Sequence, residues 1–502
     1  MDGISLTEAE MEESTLTEDE EDQAYGRVGV TFGDVGTTSL KFNVSSPVDK
    51  GEYVQIAHPN VGWVLGQIEN IERQSDLSVD KAKDLNEGKE VDIDDTVVAK
   101  VNIIGFRDEN GLLRPPGNPF RAGEPVYLAE EELIRDVVGL KDLEEGAFIG
   151  KLRGHDIKVN MNINAIAQRH LSVLAKTGSG KSYTAGVLIE EMMKNDVTMV
   201  ILDPHGEYSS LAKAGKGSNS ERFDVEAKGY GDKITEFSPN PDINKNAQPL
   251  RFTFRSMESK EILEMCDLSK RQTYVNSLEN AKSKLASTQG EFTISEVIRL
   301  LKGNEEDNST TLIKGLEKLK ENDIFAGKGT RLDDIVNKGR ASIINLRGTP
   351  PDMQGFIVDK LASSIFELRK RDKVPPLILF AEEAHNFCPQ RGKVECSDTF
   401  KTIASEGRKF GLGLGIITQR PAKVDKNVLS QCNTQVILKV TNPNDLKAIE
   451  KSVEGMTKGM KDEIKRLPVG EAIVSGAGLS EPLLVQIRPR ETKDGGESIS
   501  VV

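Results

Sequence analysis

Leu171-Ser172-Val173-Leu174-Ala175-Lys176-Thr177-Gly178-Ser179-Gly180-Lys181-Ser182 is the stretch that decides the fold. Leu171–Ala175 is a short, mostly apolar run of the kind that forms a buried strand. From Lys181 to Lys194 the pattern is helical. Small residues between strand and helix let backbone N–H groups curl around phosphate oxygens, and the helix N-terminus adds a favourable dipole. Ala175–Ser182 therefore reads as a phosphate loop for a nucleoside triphosphate. Thr177, Gly178, Ser179, Gly180, Lys181, Ser182 and Tyr183 would surround the bound nucleotide. Lys181 would reach the β- and γ-phosphates, and Ser182 would ligate magnesium. The usual first glycine is Ala175, which permits the turn where φ is negative.

Outward from this loop, strands alternate with helices. The next strand is Val197–Leu202, followed later by Ala341–Leu346, Leu377–Ala381, Leu414–Thr418 and Thr434–Val440. Helical patterns occupy Met353–Arg371 and Asp398–Lys409. Such alternation predicts an α/β fold with a mostly parallel sheet covered on both faces. The stretch 254–337 interrupts it and reads as a helical insertion. Thr293 and Glu296 form a capping box there, and Leu312, Leu316 and Leu319 recur at helical spacing. The core thus splits into 151–253 and 338–502, the latter with a C-terminal extension. Upstream, 27–150 carries short β-like runs at Ser39–Val44, Tyr53–Ala57, Gly62–Ile71, Thr96–Phe106 and Pro125–Leu128, separated by turn residues. That pattern predicts a small barrel.

The formal net charge is −14, from 66 basic and 80 acidic residues. Residues 1–25 hold ten acids and no base, so the body is nearly neutral and leaves room for a local basic channel. The acidic segment 1–26 has too few apolar residues to fold and is expected to be a disordered tail. Cys266, Cys388, Cys396 and Cys432 form no Cys-x-x-Cys pair and read as reduced structural thiols rather than a zinc site. With no apolar run of about 20 residues and no signal-peptide pattern, a cytoplasmic protein without a membrane anchor is expected.

Hydrolysis requires acids at a strand end beside the loop. Leu377–Ala381 followed by Glu382 and Glu383 fits. Glu382 stands where Asp is more usual, as a magnesium contact, and Glu383 is the candidate general base. Asp203 and Glu207 close a second strand and serve either the magnesium or a turn. Gln419, ending the strand after Glu383, either senses the γ-phosphate or makes turn contacts. Arg408 closes a helix and either neutralises its dipole or acts as an arginine finger on a neighbour. Arg391, Lys393, Arg420 and Lys423 lie in loops after these strands and are candidate DNA contacts or ordinary surface cations.

Arg169-His170, Lys176–Ser182, Asp203–Tyr208, Phe380–Phe387, Glu406–Phe410 and Thr418–Pro421 together resemble archaeal HerA, hexameric DNA translocases of the HerA/FtsK group. The resemblance covers nearly everything after residue 26. It implies a RecA-like P-loop core, an N-terminal HAS-barrel, ATP and magnesium as ligands, and a homohexameric ring threading double-stranded DNA. It also implies partnership with a NurA-type nuclease in DNA end resection. Under it Lys181, Ser182 and Glu383 take the roles above, Arg408 becomes a finger acting in trans, and Arg169 resembles an arginine near the phosphates. Gln486 and Ile487, on the strand Leu483–Ile487, would lie near the base. The other class the same ring fits is a conjugation- or secretion-type ATPase that moves protein.

Overall fold

The computed structural model describes residues 26–140, 146–217, 220–303, 310–453 and 455–496. Apart from Gly26, the acidic segment expected to be a disordered tail lies outside the described residues. The chain divides into two compact units, 1–141 and 142–502.

The first unit contains β1 (Arg27–Thr31), β2 (Ser39–Val44), β3 (Tyr53–His58), β4 (Gly62–Ser75), β5 (Asp95–Arg107), β6 (Leu113–Arg114) and β7 (Pro125–Leu128). Their order is β2-β1-β7-β3-β4-β5, and β2 pairs back onto β5, so six antiparallel strands close a barrel. The short β6 pairs with the end of β5. Closure removes the free edges that would invite pairing with another chain. The interior follows the two-residue alternation: Leu40 and Phe42 of β2 are buried, while Lys41 and Asn43 between and beyond them are exposed. With Val54, Ile56, Val64, Val101 and Val126 they fill the barrel. β1 escaped the sequence reading because Gly29 interrupts its short apolar run.

The second unit is built on one sheet. Its first strands are β8 (Gly146–Leu152), β9 (Lys158–Asn162), β10 (Leu171–Leu174), β11 (Met199–Asp203), β12 (Ile234–Ser238) and β13 (Gln248–Pro249). β14 (Phe252–Thr253) and β15 (Phe325–Ala326) pair separately. The sheet continues with β16 (Ala341–Asn345), β17 (Leu377–Ala381), β18 (Leu412–Thr418), β19 (Thr434–Ile437), β20 (Glu471–Ser475) and β21 (Leu483–Ile487). The order is β13-β12-β16-β11-β17-β18-β10-β19-β20-β21-β8-β9. The first eight run parallel and the remaining four add antiparallel pairings.

Two expectations change here. The strand nearest the start of the sheet region is β8, not Leu171–Ala175. The boundary expected at Gly150 falls inside β8, where Gly150 pairs with Ile487 of β21. A Cβ on Gly150 would lie 2.0 Å from Gln486 O, so this glycine serves a close approach between strands rather than a turn, and β8 runs through it.

The insertion is helical, with helices at Ser259–Met265, Gln272–Gln289, Ile294–Lys302 and Thr310–Glu321. The capping box forms, with Thr293 N donating to Glu296 at 2.7 Å. Leu312, Leu316 and Leu319 are buried in the same apolar cluster as Leu379 and Ile416 of the sheet. β14 and β15 bring the two ends of the insertion together, Phe252 opposite Phe325. All four cysteines are buried and unbridged, and among the described residues no cluster of His, Cys, Asp and Glu is arranged to hold a metal. No described helix is long and apolar enough to cross a membrane.

His170 ties the start of β10 to its neighbours. Buried, it donates from Nε2 to Ala404 O at 3.1 Å and accepts the Leu414 N–H at 2.9 Å. Burial, reinforced by the nearby Arg408 charge, lowers its pKa to about 4 from 6.5. The unfolded chain therefore takes up this proton first as pH falls, and stability is lost between pH 6.5 and 4, at most about 3 kcal/mol from this group. Denaturant unfolding at pH 7 and pH 4.5 should show the loss, and His170→Gln should lose less over the same interval.

Candidate nucleotide site

Three adjacent parallel strands deliver the site. β10, β18 and β17 lie side by side and end at one edge of the sheet. The phosphate loop leaves β10, Gln419 leaves β18, and Glu382 and Glu383 leave β17. Ligands of open α/β sheets bind at this carboxyl edge.

The loop needs glycine at two points. Gly178 and Gly180 have φ of 75° and 93°, a region that strains a side chain. Ser179 is buried and donates from Oγ to Lys176 O at 2.6 Å, which closes the turn. Ala175 has a negative φ and donates its N–H to Thr418 O at 3.2 Å, so the missing glycine costs the turn nothing. Lys181 heads the helix Lys181–Lys194, and its ammonium pairs with Glu382 and, at 3.2 Å, with Glu383.

The paired acids differ. Glu383 adopts a left-handed φ of 51°, a conformation costing about 1–3 kcal/mol in a non-glycine residue and concentrated at functional sites. It faces a cavity of about 860 Å³. Burial pushes its carboxyl up, but His385 Nδ1 at 3.2 Å and the Lys181 ammonium outweigh burial and hold it below its ordinary value. It is therefore an ionised acid at neutral pH. His385 Nδ1 also lies 3.0 Å from Thr418 Oγ1, which links the ends of β17 and β18. Glu382, expected to contact magnesium, instead points inward. It is fully buried, accepts the Tyr208 hydroxyl at 2.5 Å and pairs with Lys181. Both carboxylates meet the Lys181 ammonium, but only Glu383 lines the cavity.

Asp203 is a second correction. Its carboxylate is spent on its own turn, accepting N–H groups of His205, Gly206 and Tyr208 at 3.2, 2.8 and 3.0 Å. Asx-type turns at strand ends behave this way. Glu207 faces the cavity instead, and its buried Oε2 has no hydrogen-bond partner among the described residues.

Thr177, Lys181, Ser182, Tyr183, Glu383 and Gln419 line the phosphate side of the cavity. Gln419 and Thr177 are hydrogen-bonded, joining the expected sensor to the loop. Gln486 and Ile487 line the cavity too, with Phe223 and Val469 offering apolar surface. Arg169 does not. It precedes β10, so about 3.3 Å per residue puts roughly 20 Å of strand between it and the loop of its own chain. Arg408 lies at the same far edge, before β18, and its charge reaches His170. Both arginines are exposed.

The expected DNA contacts gather in two loops leaving the catalytic edge. Gln390 N donates to Lys423 O at 2.7 Å, and Pro389 bridges Val424. Arg391, Arg420 and Lys423 are exposed on these joined loops, whereas Lys393 pairs with Asp398 at 2.7 Å. Tyr208, His385 and Phe223 were not assigned from sequence, whereas Glu207 was, alongside Asp203. Tyr208 and His385 sit inside recognisable motifs, but their partners Glu382 and Thr418 are 174 and 33 residues away.

Two family models match this chain: "Helicase HerA, central domain" over residues 147–365 and "HAS barrel domain" over 28–109. They fall on the two units described above. Over both units the chain is similar to HerA. The DNA double-strand break repair helicase HerA of Pyrococcus furiosus is 28% identical, covering 92% of this chain and 92% of its own length. That of Saccharolobus solfataricus is 29% identical, covering 93% of each. A solved structure of VirB4 from Thermoanaerobacter pseudethanolicus aligns at 15% identity with a TM-score of 0.48, over 70% of this chain and 98% of the other. The chain is an ATPase of the P-loop class.

Tyr208→Phe removes the side-chain hydroxyl bonded to Glu382 and should cost about 1.5–3 kcal/mol of stability in urea unfolding. It should also loosen Lys181, seen as weaker nucleotide binding.

Proposed function

We propose that this chain is the ATP-driven motor of a homohexameric ring that moves along double-stranded DNA, beside a NurA-type nuclease that resects DNA ends for recombinational repair. The observation that carries the reading is Glu383: ionised, held in a left-handed turn, and facing the cavity next to Lys181 and Gln419. Relatives sharing about 28% identity over both units are DNA double-strand break repair helicases, which supports DNA as the substrate.

Each residue has a task that follows from its place. The backbone N–H groups of Thr177–Lys181 and the Lys181 ammonium hold the β- and γ-phosphates. Ser182, with the cavity-facing Glu207, fits a magnesium ion, which when bound neutralises phosphate charge. Glu383 accepts a hydrogen bond from the attacking water and polarises it. His385 keeps that carboxylate oriented. Gln419, bonded to Thr177 and directly preceding Arg420, registers the γ-phosphate and passes its loss to the loop bearing Arg420 and Lys423. These cations, with Arg391 and Lys393, contact DNA phosphates.

Arg408 and Arg169 lie at the opposite edge, where only a neighbouring subunit's nucleotide could meet them. We assign both to that interface, Arg408 as the finger that stabilises transition-state charge.

Duplex DNA should stimulate ATP hydrolysis, and Lys181→Ala should abolish it. Glu383→Gln should lower turnover by about 10²–10⁴-fold while leaving ATP bound. An intact hexamer unstimulated by any DNA would overturn the reading. Arg408→Ala subunits mixed with Lys181→Ala subunits should regain hydrolysis that neither has alone, measured in steady state; no regain would return Arg408 to a structural role.

A further inference from the structure

Beyond β21 the chain runs as an extended strap, Arg488–Gly496, across the helix that begins at Lys181. Its anchoring is unusually polar and deep. Arg488 is fully buried and pairs with Glu190 at 2.9 Å and Glu191 at 2.7 Å, both in the C-terminal half of that helix. Buried acids near the negative end of a helix dipole are unfavourable unless a cation answers them. Thr492 donates from N and Oγ1 to Glu190 at 2.9 and 2.6 Å, and Arg490 N donates to the Tyr183 hydroxyl at 2.8 Å. Glycine at 186, inside the helix, makes room, because a Cβ there would lie 2.5 Å from the Arg490 guanidinium carbon. A glycine costs an exposed helix interior about 1 kcal/mol. Here it leaves room for the Arg490 guanidinium.

The end of the strap arrives at the phosphate side of the nucleotide cavity, where Asp494 and Gly496 form part of its lining. Gly495 packs so closely that a Cβ would fall 2.0 Å from Glu207 O. A Cβ on Gly496 would lie 4.0 Å from Ser182 Cβ and from Glu207 Oε2, the buried oxygen without a hydrogen-bond partner. Asp494 is held by Arg490 at 3.5 Å and by the Gly496 N–H at 3.1 Å.

We propose that the strap is a built-in wall of the nucleotide site, with Asp494 and Glu207 as positioning residues for the water shell of the nucleotide-bound divalent cation. The proposal rests on the phosphate-loop reading above. A magnesium ion at a phosphate site keeps several of its waters, and those waters need acceptors. Ser182 supplies one direct ligand, while the orphan Glu207 oxygen and the Asp494 carboxylate flank it. Because Arg488 and Thr492 lock the strap to the helix, Asp494 stands at a fixed place relative to Ser182.

The test is binding of a fluorescent ADP analogue to the full chain, titrated with magnesium and repeated in EDTA. Asp494→Asn should raise the magnesium concentration at half-saturation about three- to tenfold, the worth of one water-mediated hydrogen bond, and change affinity in EDTA by much less. Gly495→Ala, which must displace the strap from Glu207, should do the same. Backbone hydrogen exchange at 493–496 should slow with nucleotide plus magnesium but not with nucleotide plus EDTA. An unchanged magnesium dependence in both variants overturns the proposal, as does an equal loss with and without magnesium. Failure of the wild-type chain to bind nucleotide, or indifference to Lys181→Ala, would instead sink the phosphate-loop reading itself.

Discussion

On β10, Leu174 pairs with Thr418 of β18, and on β17 Ala381 pairs with Ile416, two residues before that Thr418. This parallel register is the constraint on which the site depends. It places the phosphate loop, Gln419 and Glu383 at one level of one edge, although 208 residues of chain separate Ala175 from Glu383. All three strands are buried on both faces, so a slip of one residue would exchange the side chains packed into the two covering layers and move the phosphate loop about 3.3 Å along the strand relative to Glu383. Packing, rather than any contact within the site, holds the chemistry in register.

The same register explains the two-edged character of the sheet. Parallel strands carry their acids and phosphate loop at one end and Arg169 and Arg408 at the other. The span of the strands keeps the arginines from their own nucleotide. The proposed completion of the site across subunits rests on that separation. At the catalytic edge the loops bearing Arg391 and Lys423 are laced by backbone bonds, and His385 joins β17 to β18 within the same layer. In the proposed motor, these contacts are the route from the γ-phosphate to the basic loops.

Beyond the parallel core, β20, β21, β8 and β9 extend the sheet antiparallel and deliver Gln486, Ile487 and the strap. The insertion at 254–337 adds helices to the same apolar cluster without reaching the cavity. The buried Arg488–Glu190–Glu191 group is costly to desolvate, and its worth lies in fixing where the strap must run.

Local pattern was enough for the phosphate loop, the helix Lys181–Lys194, the apolar strand before Glu383, the capping box at Thr293 and the alternating strands of the barrel. In each case the signal lies within a few residues: glycines at a turn, a cap three residues before its partner, or a two-residue period. Which carboxylate does what was decided only by tertiary structure. Asp203 is consumed by its own turn, Glu382 by Tyr208 and Lys181, and Glu207 and Asp494 come to the cavity from opposite ends of the core. Arg169, close in sequence to the loop, is far from it in space because a strand intervenes. The sequence by itself determined that a phosphate is gripped here. The register of β10, β18 and β17 decided which acids face it, because a side chain's direction at a strand end depends on neighbours hundreds of residues away.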